Sequence, residues 1–155
     1  METATRPYAF SRKVFCEGMR DGVPIALGYF AVSFSLGIAA RSAGLTPIQG
    51  FIASLFNNAS AGEYAAFSLI AAGATYVEVA IITLIANARY LLMSCALAQR
   101  FAPGTPFFHR LIIGYDVTDE LFGITIARPG CLNPFYTYGA ITLAAPAWAM
   151  GTALG

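Results

Sequence analysis

Charge is scarce in this chain. Only 11% of its 155 residues are charged, against 57% hydrophobic, and a soluble domain of this length would need a larger charged surface. The net charge of +1 supports neither nucleic-acid binding nor an acidic partner. Histidine is nearly missing, with His109 alone. The three cysteines, Cys16, Cys95 and Cys131, are far apart, odd in number and form no CxxC pair. They read as small apolar filler or incidental thiols, and thiolate metal chemistry is not expected. GxSxG, a phosphate-binding glycine loop and HExxH are all absent, so no ordinary soluble enzyme is supported and no cofactor is expected.

What the chain does have is apolar length. With its 15 glycines and 12 phenylalanines, this predicts an all-α polytopic integral membrane bundle. Residues 1–21 form a polar arm carrying Arg6, Arg12, Lys13 and Arg20, and Gly22–Ala40 is then free of charge until Arg41. Nineteen helical residues rise about 28 Å, close to a hydrocarbon core. A cleaved signal peptide competes, but its apolar region is usually only about 7–15 residues long. The arm is expected in the cytoplasm by its basic residues. Residues 22–155 are expected to make one transmembrane domain of about four spans plus a re-entrant or broken helix pair near 45–74.

That pair is read from two short apolar stretches, Ile48–Phe56 and Tyr64–Ala74, separated by "NNASAGE". Neither stretch spans a bilayer as a helix, and Pro47, Gly50 and Gly62 weaken a continuous one. Interrupted segments persist in lipid only where protein or a wet cavity covers the freed backbone, and they point to a transporter binding site. Two ordinary tilted helices with a surface loop are the alternative. Tyr76–Gln99 is long enough to cross, Leu111–Ala127 follows a basic turn at 100–110, and Phe135–Gly155 is a last uncharged run.

Three groups of polar residues carry the candidate chemistry. Arg89, with Asn87 two residues before it, lies in an apolar run, and a central arginine facing lipid costs at least about 2.5–3.5 kcal/mol. Glu78 is eleven residues away, about three helical turns, which places it on the same face. Pairing that locks helices and a functional role are both open. Asp116, Asp119 and Glu120 fall at i, i+3 and i+4, one stripe of a helix, as a proton relay would need. Solvated acids at the interface, or a divalent-metal site, are the competing readings. In the third group, the half-helix ends of Asn57, Asn58, Ser60, Gly62 and Glu63 could bind the carboxylate and ammonium of an amino acid. Ala59 and Ala61 leave room for that approach.

The stretches "GVPIALGYFAVSFSLGIAA" (22–40), "NARYLLMS" (87–94), "TDELFGI" (118–124) and "WAMGTALG" (148–155) together resemble the AzlC family, the YgaZ-like large subunits of branched-chain amino acid exporters. The family's Asn-x-Arg-Tyr falls on Asn87, Arg89 and Tyr90, and its Thr-Asp-Glu on Thr118, Asp119 and Glu120. Where many members have Ala-Gly-Ala-Ser-Gln, this chain has "ASAGE", with Ser60 for the glycine and Glu63 for the glutamine. The resemblance implies export of hydrophobic amino acids across a bacterial inner membrane and a small AzlD-like membrane partner. It also implies that the C-terminal part of the family pattern, roughly two helices, is missing here. The expectation is a secondary transporter subunit, with a non-transporting scaffold as the alternative and an intramembrane enzyme using Asp119 and Glu120 as a third reading.

Overall fold

The computed structural model describes residues 8–155, whose regular structure is helical apart from one isolated bridge between Phe101 and Leu132. Eight helices follow in order: α1 (Arg12–Ser42), α2 (Pro47–Asn57), α3 (Ser60–Ala71), α4 (Tyr76–Ala86), α5 (Ala88–Ala98), α6 (Phe107–Tyr115), α7 (Asp119–Ile126) and α8 (Pro134–Leu154). The first seven residues of the expected arm, Arg6 among them, lie outside the described residues, and α1 already begins at Arg12. Among the described residues α1 is the one helix long and apolar enough to cross a membrane unaided. The pair α4–α5 passes the same test jointly, bent by 43°.

The helices are short because their ends are encoded locally. Thr46 caps α2, and its partner Gln49 bonds back to the Thr46 amide at 2.8 Å, with Pro47 at the first helical position. Thr75 and Glu78 make the same reciprocal box at the start of α4, the Thr75 amide donating to Glu78 Oε2 at 2.8 Å. Such boxes satisfy two otherwise orphaned amides each. Asn58 ends α2 in the left-handed region at φ 37°, which asparagine tolerates better than most residues. The expected break in 45–74 is therefore present but narrow. Only Asn58 and Ala59 are non-helical, and the rest of "NNASAGE" belongs to α2 or α3.

Two compact units divide the chain: residues 8–23 with Tyr90–Leu143, and Pro24–Arg89 with Ala144–Gly155. The backbone passes between them within α1, within α5 and within α8. Pro24 and Pro146 lie inside α1 and α8.

The first unit packs Leu97, Phe101, Ile113, Val117 and Leu132 into a buried cluster. Two of its arginines, Arg100 and Arg110, serve as clamps on backbone. Arg100 donates to the carbonyls of Ile126 at 2.9 Å and Gly130 at 3.1 Å, and also to that of Arg128. Arg110 donates to Ala98 O at 2.8 Å, at the end of α5. Arg128 pairs with Glu17 at 2.7 Å and lies 4.0 Å above the Tyr136 ring. Partial burial works against that guanidinium, but hydrogen bonds to Glu17 and Tyr136 hold its pKa above the ordinary arginine value.

In the second unit α1 and α8 approach through glycines. Gly151 lies against the backbone of Phe30 and Phe34, and Gly155 against Phe34 and Gly37. Small residues at such seams let helix backbones meet without a hydrophobic driving force. Many apolar side chains of α2–α4 face outward, including Ile48, Phe56, Val77, Leu84 and Ile85. An apolar surface this extensive is uncommon on a soluble monomer.

Candidate functional site

The second unit brings both of its helix breaks together. Asn57, the last residue of α2, accepts a 2.8 Å hydrogen bond from Asn87 Nδ2, at the junction of α4 and α5. Asn87 sits directly on Gly62 in the first turn of α3. A Cβ there would lie 2.8 Å from Asn87 Cγ, so only glycine allows this approach. Asparagine competes poorly as a helix-interior residue because its amide seeks other partners. Here it finds one across the unit, and the helix bends at that point.

A cavity of about 980 Å³ opens beside this junction, lined by Leu45, Gln49, Ile70, Val79, Thr83 and Asn87 among others. Its wall is largely apolar. Thr83 and Asn87, one turn apart at the end of α4, are both among its lining residues. Thr83 Oγ1 and Asn87 Oδ1 are buried and have no hydrogen-bond partner among the described residues, and Asn87 Oδ1 lies against Gly62. Buried polar atoms of this kind are costly. The first turn of α3 has no side-chain cap, because Ala59 stands at its N-cap.

Behind the junction lies a second polar group. Glu63 is 1% exposed. Its Oε2 accepts from Trp148 Nε1 at 2.8 Å, and its Oε1 accepts from Ser54 and, at 3.3 Å, from Thr152. Ser54 and Thr152 are themselves 2.7 Å apart. All four residues are buried, and Tyr29 packs edge-on against Trp148 at 5.1 Å.

Of the residues singled out in the sequence, Asn57, Gly62 and Asn87 meet at this junction with Asn58 next in the chain, Glu63 instead bonds Ser54, Trp148 and Thr152, and Ser60 is exposed at the start of α3. Arg89 belongs to the same unit and is exposed, in the first turn of α5. A cation there opposes the helix dipole, so helix stability does not explain it. Two sequence expectations are corrected. Glu78 and Arg89 do not share one helical face, since the helix breaks between them and Glu78 is spent on the Thr75 cap. Nor do Asp116, Asp119 and Glu120 form a helical stripe. Helix α6 ends at Asp116, and Thr118 starts α7 by accepting from the Leu121 amide at 3.4 Å. Asp116 and Thr118 are buried, whereas Asp119 and Glu120 are exposed in the first turn of α7, where carboxylates suit the helix dipole. These four lie in the first unit.

Sequence reasoning missed Ser54, Thr83, Trp148 and Thr152. Thr83 could have been found as the residue one turn before Asn87. The only tryptophan of the chain, within an uncharged run, was a signal for a buried polar partner.

The AzlC protein family matches residues 24–155. The chain belongs to the AzlC family. It is 28% identical over 142 residues to an uncharacterized membrane protein of Archaeoglobus fulgidus, covering 92% of this chain and 61% of that one. It is 26% identical over 128 residues to the inner membrane protein YgaZ of Escherichia coli, covering 83% and 52%. An uncharacterized membrane protein of Helicobacter pylori is 23% identical over 146 residues, covering 92% and 63%. This AzlC chain thus spans between half and two thirds of the length of these relatives. No solved structure matches it.

Proposed function

We propose that this AzlC chain is part of a secondary transporter subunit that exports branched-chain or similar hydrophobic amino acids across the bacterial inner membrane. The observation that carries the reading is the junction of two helix breaks at Asn57–Asn87, beside a largely apolar cavity. The apolar wall matches an aliphatic side chain, and the polar groups of the two breaks match the charged ends of an amino acid. Arg89 supplies a cation near the same break for solute or partner carboxylate. The proposal includes a polytopic bundle with a cytoplasmic N-terminus, a re-entrant 45–74 segment, and a small AzlD-like membrane subunit as partner. It assigns no catalysis.

Membership of the family and relatives named as membrane proteins support this reading. The scaffold alternative draws on one observation. Thr118, Asp119 and Glu120 are accounted for as a helix start, with no transport role required.

The test is valine efflux from loaded cells co-expressing the chain with its small partner. Asn87→Ala and Arg89→Ala are expected to reduce efflux at least about tenfold, the effect of one lost polar anchor of ~1.4 kcal/mol, while both variants still insert in the membrane. Absence of valine efflux with the wild-type chain would refute the transport reading, and normal export by both variants would refute the site.

A further inference from the structure

We propose that Glu63 is a proton-binding site, loaded and emptied once per transport cycle, with Ser54, Thr152 and Trp148 as its fixed partners. The inference rests on the transport reading above and assigns its coupling step.

The same partners serve both protonation states. In the ionised form the Ser54 and Thr152 hydroxyls both turn toward Oε1, and Trp148 N–H holds Oε2. In the neutral form the acid proton on Oε1 is donated to Ser54 Oγ. Ser54 then donates to Thr152 Oγ1 at 2.7 Å, and Thr152 turns to its own helix, toward Trp148 O at 3.5 Å. Gain of one proton on Oε1 is thus matched by rotation of two hydroxyls, and the proton departs by the reverse. Serine and threonine hydroxyls can reorient in this way because each both donates and accepts.

Among the described residues no charged side chain bonds to the carboxylate. The groups reaching it are Ser54 from α2 and Trp148 and Thr152 from α8, with the phenol-bearing Tyr29 of α1 beyond Trp148. Glu63 therefore differs from Glu17, which lies 2.7 Å from Arg128. A buried carboxyl held only by groups that can reorient or donate is free to exist in either form.

Its position couples it to the solute. Glu63 follows Gly62, the seat of Asn87, and lies on the same face of α3 as Ala66 and Ile70, which line the cavity. Seven residues on, Ile70 is only about 20° from it around the helix.

The experiment uses the purified chain with its small partner in liposomes. Wild type is expected to exchange valine without a gradient and to move it at least about fivefold faster under an imposed pH gradient. Glu63→Gln should keep exchange and lose the acceleration; an unchanged response to the gradient would overturn the proposal. Infrared difference spectra separate this from the transport reading. A carboxylic acid band that titrates in wild type and is missing in Glu63→Gln supports the proton site even if no valine moves, a result that would sink only the transport reading. A wild type with no titrating band overturns the proton site. Trp148→Phe, which removes one donor to the carboxylate, should move the band's midpoint upward; an unmoved midpoint also counts against it.

Discussion

Adding one methyl group to Gly62 should change sign in effect according to what residue 87 is. In the native background a Cβ at position 62 meets Asn87, 2.7 Å from Nδ2 and 2.8 Å from Cγ. The side chain must leave, and the 2.8 Å bond to Asn57 is lost with it. The lost bond costs about 1 kcal/mol and the overpacking about 1–3 kcal/mol. Alanine regains up to about 1 kcal/mol of helix propensity over glycine. Gly62→Ala should therefore destabilise the native chain by about 1–3 kcal/mol. With Asn87→Ala already present, bond and obstruction are both gone, and the same change should stabilise by up to about 1 kcal/mol. The coupling between the two positions is then about 2–4 kcal/mol, at or above the upper end for residues in contact. Thermal unfolding of the four proteins of this cycle in detergent, followed by circular dichroism, reads it directly. If Gly62→Ala costs the same in both backgrounds, Asn87 is not seated on Gly62, and the meeting of the two helix breaks is wrong.

Other outcomes follow from the caps and clamps. Thr118→Ala should cost about 1–2 kcal/mol, and Thr118→Ser much less, because only the alanine leaves the Leu121 amide without its acceptor; unfolding midpoints compare them. Arg100→Lys should raise hydrogen exchange in the 126–132 backbone, since an ammonium cannot hold three carbonyls in the fork geometry of a guanidinium. Thr46→Ala should fray α2 by about 1 kcal/mol while leaving α4, which has its own box, as protected as before. Gly151→Val should prevent α8 from seating against Phe30 and Phe34 and lower the yield of folded protein sharply, whereas Gly28→Val, with open space around it, should not.

Much of the fold was legible where local chemistry decides it. The charge-free run 22–40 reads directly as part of α1, and the polar interruption after Phe56 reads as a break because asparagine and small residues disfavour helix continuation. Asn87 was legible as an anomaly in an apolar run, though its meaning was not, since its partner is 30 positions away. Two readings failed for one reason. A spacing of three and four residues implies a shared face only if the helix is continuous, and "DVTDE" instead contains a helix start at Thr118. A threonine followed by two acids before an apolar run is the usual sign of an N-terminus, and it outweighs periodicity there. The surroundings of Glu63 could not be read at all, because Trp148 and Thr152 lie 85 and 89 positions further along the chain.

The three passages between the compact units have a property in common. Val23–Pro24 falls at a proline whose missing amide leaves the Arg20 carbonyl without its helical donor, and Leu143–Ala144 falls two residues before Pro146, which does the same to Thr142. The third, Arg89–Tyr90, comes just after the bend at Asn87. Flexing a helix costs least where a rung of its ladder is already gone. Each connection therefore passes close to a missing rung or a bend in its helix. Replacing both prolines with alanine would restore the two missing hydrogen bonds without touching a single residue of the cavity.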